Sequence, residues 1–179
     1  DRDRWHELGH RIAVSDLHGA DADVEAGLWR FVFDLDLVES VTCESRPLDD
    51  PVRHRLRDAR AFETTEVWDE QWVRVLDVAG ALSARTYGTD ETVVLEVTAD
   101  PWFADNVARF EVGNEGCRRV RRAAELSMPV DMVGAVLLGG TSFGELVAAR
   151  RIVERRPGAA ARADRLFHAP LQPWCGTFF

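Results

Sequence analysis

The residues with the most chemical potential stand at the end of the sequence, Ala169-Pro-Leu-Gln-Pro-Trp-Cys-Gly-Thr-Phe-Phe179. Chain ends are usually small, polar and frayed. Here Trp174, Phe178 and Phe179 carry apolar area whose exposure costs roughly 1.5 to 3 kcal/mol each, and Pro170 and Pro173 stiffen the approach. The expectation is a docked tail. Docking would hold the α-carboxylate of Phe179 in a fixed place, partly out of water, as a structural anchor or as a chemical group. Its ordinary pKa is near ~3.5, so it is ionised at neutral pH. It accepts a proton from an ammonium only if it is desolvated or relayed through water.

Trp68-Asp-Glu-Gln-Trp72 sets acidic residues between two tryptophans where a strand begins. That pattern fits a strand entry with packing aromatics, and it also fits a carboxylate between aromatic walls that holds an amine. Tyr87, the only tyrosine, is a proton donor or a packing residue against the helix that follows Asp77. His6, His10, His18, His54 and His168 are scattered among helix flanks and loops, and Gly139-Gly140 reads as a helix C-cap. Cys43, Cys117 and Cys175 are too widely spaced for a zinc site or a disulfide framework and read as small buried hydrophobes. No nucleophile motif, metal-spaced histidine pair or phosphate-binding glycine loop is present.

All 22 basic residues are arginine, which excludes chemistry that needs a lysine amine. The net charge of −9 argues against nucleic acid as a partner, because phosphate binding needs a basic face. An acidic surface serves solubility or steers a cationic substrate. No apolar run approaches the ~18 residues of a membrane span and no signal peptide opens the chain, so no membrane partner and a cytoplasmic location are expected. The opening Asp1-Arg-Asp-Arg-Trp-His6 lacks an initiator methionine and reads as the interior of a larger protein.

The elements that must position these residues fall into two groups. Arg11 to Leu17 predicts a strand. Val24, Leu28, Phe31 and Val32 predict a helix from Asp21 to about Phe33, Leu37 to Glu44 a second strand, and Asp50-Pro51 a short basic helix to about Arg60. That is an α/β fragment, with a boundary near residue 64. Beyond it come a strand at Trp72–Leu76, a helix capped by Asp77, and strands at Thr92–Thr98, Val107–Val112, Gly116–Val120 and Glu125–Met128, read as an antiparallel meander. Then come a helix from Asp131 to Leu138, a capping box Ser142-Phe-Gly-Glu145 opening a helix to about Val153, and a last helix through Ala163 to Phe167. The fold class is α+β: an antiparallel sheet covered by helices, preceded by a partial α/β segment.

The block Trp72-Val-Arg-Val-Leu-Asp-Val-Ala-Gly-Ala-Leu-Ser-Ala-Arg85, the strand Thr92-Val-Val-Leu-Glu-Val97, the helix ending Leu138-Gly-Gly and the aromatic terminus resemble the C-terminal half of the Eis (enhanced intracellular survival) acetyltransferases. Leu28-Trp-Arg30 with Asp34-Leu-Asp36 is similar to the end of that family's middle domain. The resemblance implies three parts in the whole protein: an N-terminal GNAT domain that binds acetyl-CoA, a degenerate central GNAT domain, and a domain similar to sterol carrier protein 2. Residues 1–64 would then be the tail of the central domain and residues 65–179 the sterol-carrier-like domain. It implies acetylation of amines of aminoglycosides or similar polyamines, a hexameric assembly, and an acetyl-CoA site and catalytic tyrosine outside this chain, which alone would be inert. It assigns the Phe179 carboxylate as general base, and places Asp69, with Trp68 and Phe178 beside it, in the substrate pocket. Phe178 stands where a family member has an acidic residue, which implies a more apolar or differently charged amine. Two other functions are carried with it, a lipid or apolar-ligand carrier and an oligomerisation scaffold.

Overall fold

The computed structural model describes residues 10–177. The chain divides into two compact units. One is Gln71–Pro173, and the other comprises the described residues up to Glu70 together with 174–177. The sequence sets the division near residue 64 and assigns the tail to the second group, whereas the compact units part after Glu70 and Trp174 groups with the first.

The first unit is a strand–helix–strand turn. Strand β1 (His10–Val14) pairs in parallel with β2 (Val38–Cys43), and helix α1 (Ala22–Phe33) connects them. Asp21 caps α1 by accepting from the amides of Asp23 and Val24. Trp29 is the helix residue that goes fully inside, meeting Leu17 and Val52, with Val14, Val32, Val41, Cys43 and Phe62 around them. So small a core relies on polar bracing. The Arg46 guanidinium bonds Asp50 at 2.5 Å, Glu25 and the Leu17 carbonyl, and lies over the Trp29 ring. The predicted basic helix shrinks to α2 (Val52–Arg55) and a short 3-10 turn, because Leu56 turns extended.

The second unit carries the sheet. Helix α3 (Val78–Ser83) is capped by the Asp77 carboxylate, as expected. Strands β3 (Val93–Val97), β4 (Arg109–Gly113) and β5 (Gly116–Arg119) form an antiparallel meander, and Gly116, at φ 99°, closes the β4–β5 turn in the left-handed region. The meander then ends. Strand β6 (Leu126–Met128) returns to the far edge of β3 and pairs with it in parallel, and β7 (Val153–Glu154) adds antiparallel to β6, giving the order β5-β4-β3-β6-β7. The expected purely antiparallel sheet is therefore corrected to a mixed one. The stretch 120–125 crosses the sheet, tied by Val120 N–H to Arg109 O and Glu125 N–H to Val94 O, and so delivers β6 in the parallel sense.

Alternation sorts the faces. Val93, Leu95, Val97, Phe110, Val112, Leu126 and Met128 point to one side and share a core with residues of α3, α4 (Val130–Leu137), α5 (Phe143–Ala148) and α6 (Ala159–Phe167). The other side carries Glu96, Glu111 and Ser127, bonded to Arg109, Arg118, Arg122 and Arg155. The strand expected at Trp72–Leu76 is absent. The segment runs extended without ladder partners, with Val75 buried and the Arg74 side chain bonded to Asp100. The Ser142–Glu145 capping box opens α5, but α5 stops at Ala148 and Arg150 turns left-handed, so that Val153, where the helix is expected to end, joins β7 instead.

Candidate functional site

The tail begins where α6 ends. Phe167 is buried, its ring edge-on to Phe143 at 4.9 Å and to Tyr87 at 5.3 Å. Arg85, just beyond α3, donates to the Phe167 carbonyl and also to the Leu137 and Val136 carbonyls at the end of α4. Its guanidinium carbon lies 4.7 Å from the centre of the Phe167 ring. Burial lowers the pKa of Arg85, opposed by Tyr87. The chain then runs against the Gly139-Gly140 end of α4. A Cβ on Gly139 would meet Ala169 at 2.8 Å, and one on Gly140 would meet Pro173 at 2.9 Å.

Past Pro173 the chain belongs to the first unit. There Trp174 is 40% exposed, with its ring 5.3 Å from that of His18, and residues 170–173 before it are exposed, so the docking expected of the tail is limited to edge contacts. His18 Nε2 is 2.6 Å from an Asp16 carboxylate oxygen. Cys175 follows, half-buried, its thiol bonded to the Thr177 carbonyl. Phe178 and Phe179, including the carboxylate assigned as base, lie outside the described residues. Trp68 and Asp69 sit in an extended stretch between Phe62 and Glu70, both exposed, and no strand begins beside them. The described residues thus bring Trp174 to His18. They give no contact between Asp69 and the tail.

Tyr87 is not placed for proton donation. Its hydroxyl donates to the Leu82 carbonyl at 2.6 Å, and burial pushes the phenol's pKa up, opposed by Arg85. Cys117 is half-buried and its thiol is pushed up to about 11, chiefly by burial, which leaves it protonated and inert. Among the described residues no group of three or more His, Cys, Asp or Glu is placed to hold a metal ion.

A donor's pyrophosphate would meet free helix amides at a strand-to-helix turn, and the turn of the first unit does not fit one. Asp21 already accepts from the amides of Asp23 and Val24, and Asp23 and Glu25 fill the first turn with negative charge. Two shallow recesses lie elsewhere in the second unit, of about 360 and 290 Å³ and of mixed lining: Glu96, Arg109, Val97 and Val107 in one, Arg122, Glu125, Val94 and Ala124 in the other. Neither is a closed apolar tunnel.

Four residues that lie against the tail carry little sequence signal as its partners. His18 carries no motif. Arg85 reads from sequence as part of the helix that Asp77 caps. Gly139-Gly140 was read as a cap, which accounts for only one of the two glycines.

Comparison with known proteins adds the family context. Residues 78–176 match the sterol carrier protein domain family, and residues 2–75 match the acetyltransferase (GNAT) domain family. An uncharacterized N-acetyltransferase of Streptomyces avermitilis is 36% identical over 176 residues, covering 95% of this chain and 42% of its own length. N-acetyltransferase Eis of Mycobacterium tuberculosis is 33% identical over 157 residues, covering 86% of this chain and 38% of its own. The crystal structure of Eis1 from Mycobacterium abscessus superimposes with a TM-score of 0.91 at 36% identity, over 98% of this chain and 45% of that one. The chain therefore spans about two fifths of the length of these relatives.

Proposed function

This chain belongs to the Eis-like N-acetyltransferase family, with a sterol carrier protein domain over residues 78–176 and a GNAT domain match over residues 2–75, and from that premise we propose that it is the substrate-side, base-bearing portion of an amine N-acetyltransferase. The observation that carries the reading is the 0.91 TM-score to Eis1 over nearly the whole chain, at an identity well above that of fold likeness alone. In this reading the Phe179 carboxylate is the general base. A substrate ammonium gives its proton to it, directly or through a water, which frees the nitrogen lone pair for acetylation. Asp69 and Trp68 hold the cationic amine, with Phe178 setting an apolar side to the pocket.

Acetyl-CoA is the donor implied by the family. Residues 1–64 are read as the close of a degenerate central GNAT domain and residues 65–179 as the sterol-carrier-like domain. The donor is then bound by an N-terminal GNAT domain in a longer protein, and this chain alone is inert. The acidic, self-capped start of α1 supports that division, because a pyrophosphate there would face carboxylates instead of free amides. Calorimetric titration of acetyl-CoA into this chain is expected to give no binding heat, and saturable binding would overturn the division. The enzyme reading is tested by mass spectrometry of aminoglycosides and linear polyamines incubated with acetyl-CoA and the full-length protein. One acetyl mass gained per modified amine is expected, and no modified amine across both classes would sink it.

The carrier alternative is not favoured, since the core of the second unit is filled by its own side chains and its two recesses are open to solvent instead of closed apolar tunnels. Assembly as a hexamer is proposed from the family. It gains support from the exposed apolar surface of Trp72 and Leu76, and of Trp102, which is 72% exposed.

A further inference from the structure

Gly140 is not accounted for by helix termination. A helix needs a single left-handed residue to end on, and Gly139, at φ 82°, supplies it. Gly140 has no positive φ, so any residue could adopt its backbone angles. What excludes a side chain there is Pro173, whose Cδ and Cγ would lie 2.9 Å from an added Cβ. Gly139 is also doubly constrained, because its Cβ would strike Ala169 at 2.8 Å and the Phe167 carbonyl at 3.0 Å. The end of α4 is therefore approached closely by Ala169 and Pro173, although residues 170–173 keep an exposed side.

Arg85 locks the upstream edge of that approach. Its two terminal nitrogens bond carbonyls that end two different helices, Leu137 and Val136 of α4 and Phe167 of α6. Helix ends leave carbonyls short of helical partners, and although Val136 O also accepts from the Gly139 amide, a planar, two-pronged cation suits the position. The ring of Phe167 is fixed on its remaining sides by Phe143, Tyr87 and the guanidinium itself. Tyr87 is pinned in turn by its bond to the Leu82 carbonyl. None of these groups lines either of the two recesses described above, and all converge on the last helix and the first residues of the tail.

We propose that Arg85, Gly139 and Gly140 are positioning residues for acetyl transfer: they fix the exit of the tail from the second unit and so set where the Phe179 carboxylate can reach. This rests on the reading of that carboxylate as general base. It says where the accuracy of the base comes from: the close approach of Ala169 and Pro173 to the end of α4, not the tail itself. A base displaced by about 1 Å loses on the order of 100-fold in rate, so a methyl group pressed under Pro173 acts at the far end of the tail without touching substrate.

The test uses the full-length protein in three forms, Gly140→Ala, Arg85→Met and a version with extra residues after Phe179. Each is assayed for kcat/KM toward a polyamine from pH 6 upward, with thermal unfolding alongside. A working base lets the enzyme use the ammonium form, so the rate stays level below the amine's pKa. Without it only the free amine reacts, and the rate climbs tenfold per pH unit up to that pKa. Gly140→Ala and Arg85→Met are expected to lose about 10- to 100-fold at pH 6, with the loss shrinking toward the amine's pKa, and Arg85→Lys to recover part of it. A general loss of folded protein would lower the rate equally at every pH. If the extended protein is impaired but the two variants stay within about twofold of the parent, or lose equally at all pH values, the positioning role is overturned and the base survives. If the extended protein turns over normally, the base reading fails and takes this one with it.

Discussion

Asp100 shows how one residue organises a stretch that period-two alternation misreads. Its buried carboxylate accepts from the amides of Trp102 and Phe103, from Asn106 Nδ2 at 2.8 Å and from Arg74 at 2.5 Å. Burial pushes its pKa up, but the bonds from Asn106, the two amides and Arg74 outweigh it and hold the group well below the usual carboxylate range. Its contribution to stability is complete above the unfolded value of about 4 and is lost as pH falls through the lower folded one. Asp100→Asn should therefore unfold at lower temperature than the parent at pH 7, with the gap closing in acid, and a gap that does not change with pH would refute this. Arg46 plays the same part in the first unit. Arg46→Ala leaves Asp50 and Glu25 without their partner and should cost about 3 kcal/mol, measured by urea unfolding. The caps at Asp77 and Ser142, and at Asp21 as one of two choices with Asp23, are legible in the sequence because a cap is a local bond made within three residues, whereas Asp131, expected to cap α4, lies inside it and Pro129 stands at its start without a side-chain bond. The role of Asp100 is not legible, since Arg74 lies 26 positions away.

Helix α1 and strands β2 to β5 lie within two residues of their expected bounds. Burial explains this for β3 and β4, whose apolar residues go inside, whereas Val24, Leu28 and Phe31, whose spacing predicts α1, stay exposed and Trp29 anchors the helix instead. The parallel return of β6 was not legible, since a strand's side-chain alternation is the same whichever way it runs. Neither was β7, whose two residues are too few to show a period. Trp72–Leu76 alternates like a strand, yet it spends Val75 on the core and Arg74 on Asp100 without joining the sheet. At this scale the clearest prediction concerns α5. Its first turn is satisfied twice, by Ser142 with Glu145 and by the Asp164 carboxylate of α6 on the amides of Phe143 and Gly144. Ser142→Ala should cost about 1 kcal/mol in chemical denaturation, and a cost near zero would mean that Asp164 suffices alone.

Across the whole molecule the net charge of −9 suits a cationic substrate more than a nucleic acid or a nucleotide-rich surface. If that charge steers a polyamine to the site, kcat/KM of the full-length protein should fall about tenfold between low and high salt while kcat changes little. Rates that ignore salt would reduce the charge to solubility. The candidate site was legible only in part. Composition marked the tail as unusual, and resemblance to the family gave its last carboxylate a role. The contacts that hold the approach to that carboxylate lie some 30 to 90 positions back in sequence, at Gly139, Gly140 and Arg85. The most direct test of that role is to convert the Phe179 carboxylate to a carboxamide by semisynthesis in the full-length protein and measure kcat/KM below the amine's pKa. The account predicts a loss of about 100-fold or more with unchanged thermal unfolding, and a carboxamide enzyme that turns over like the parent would contradict it.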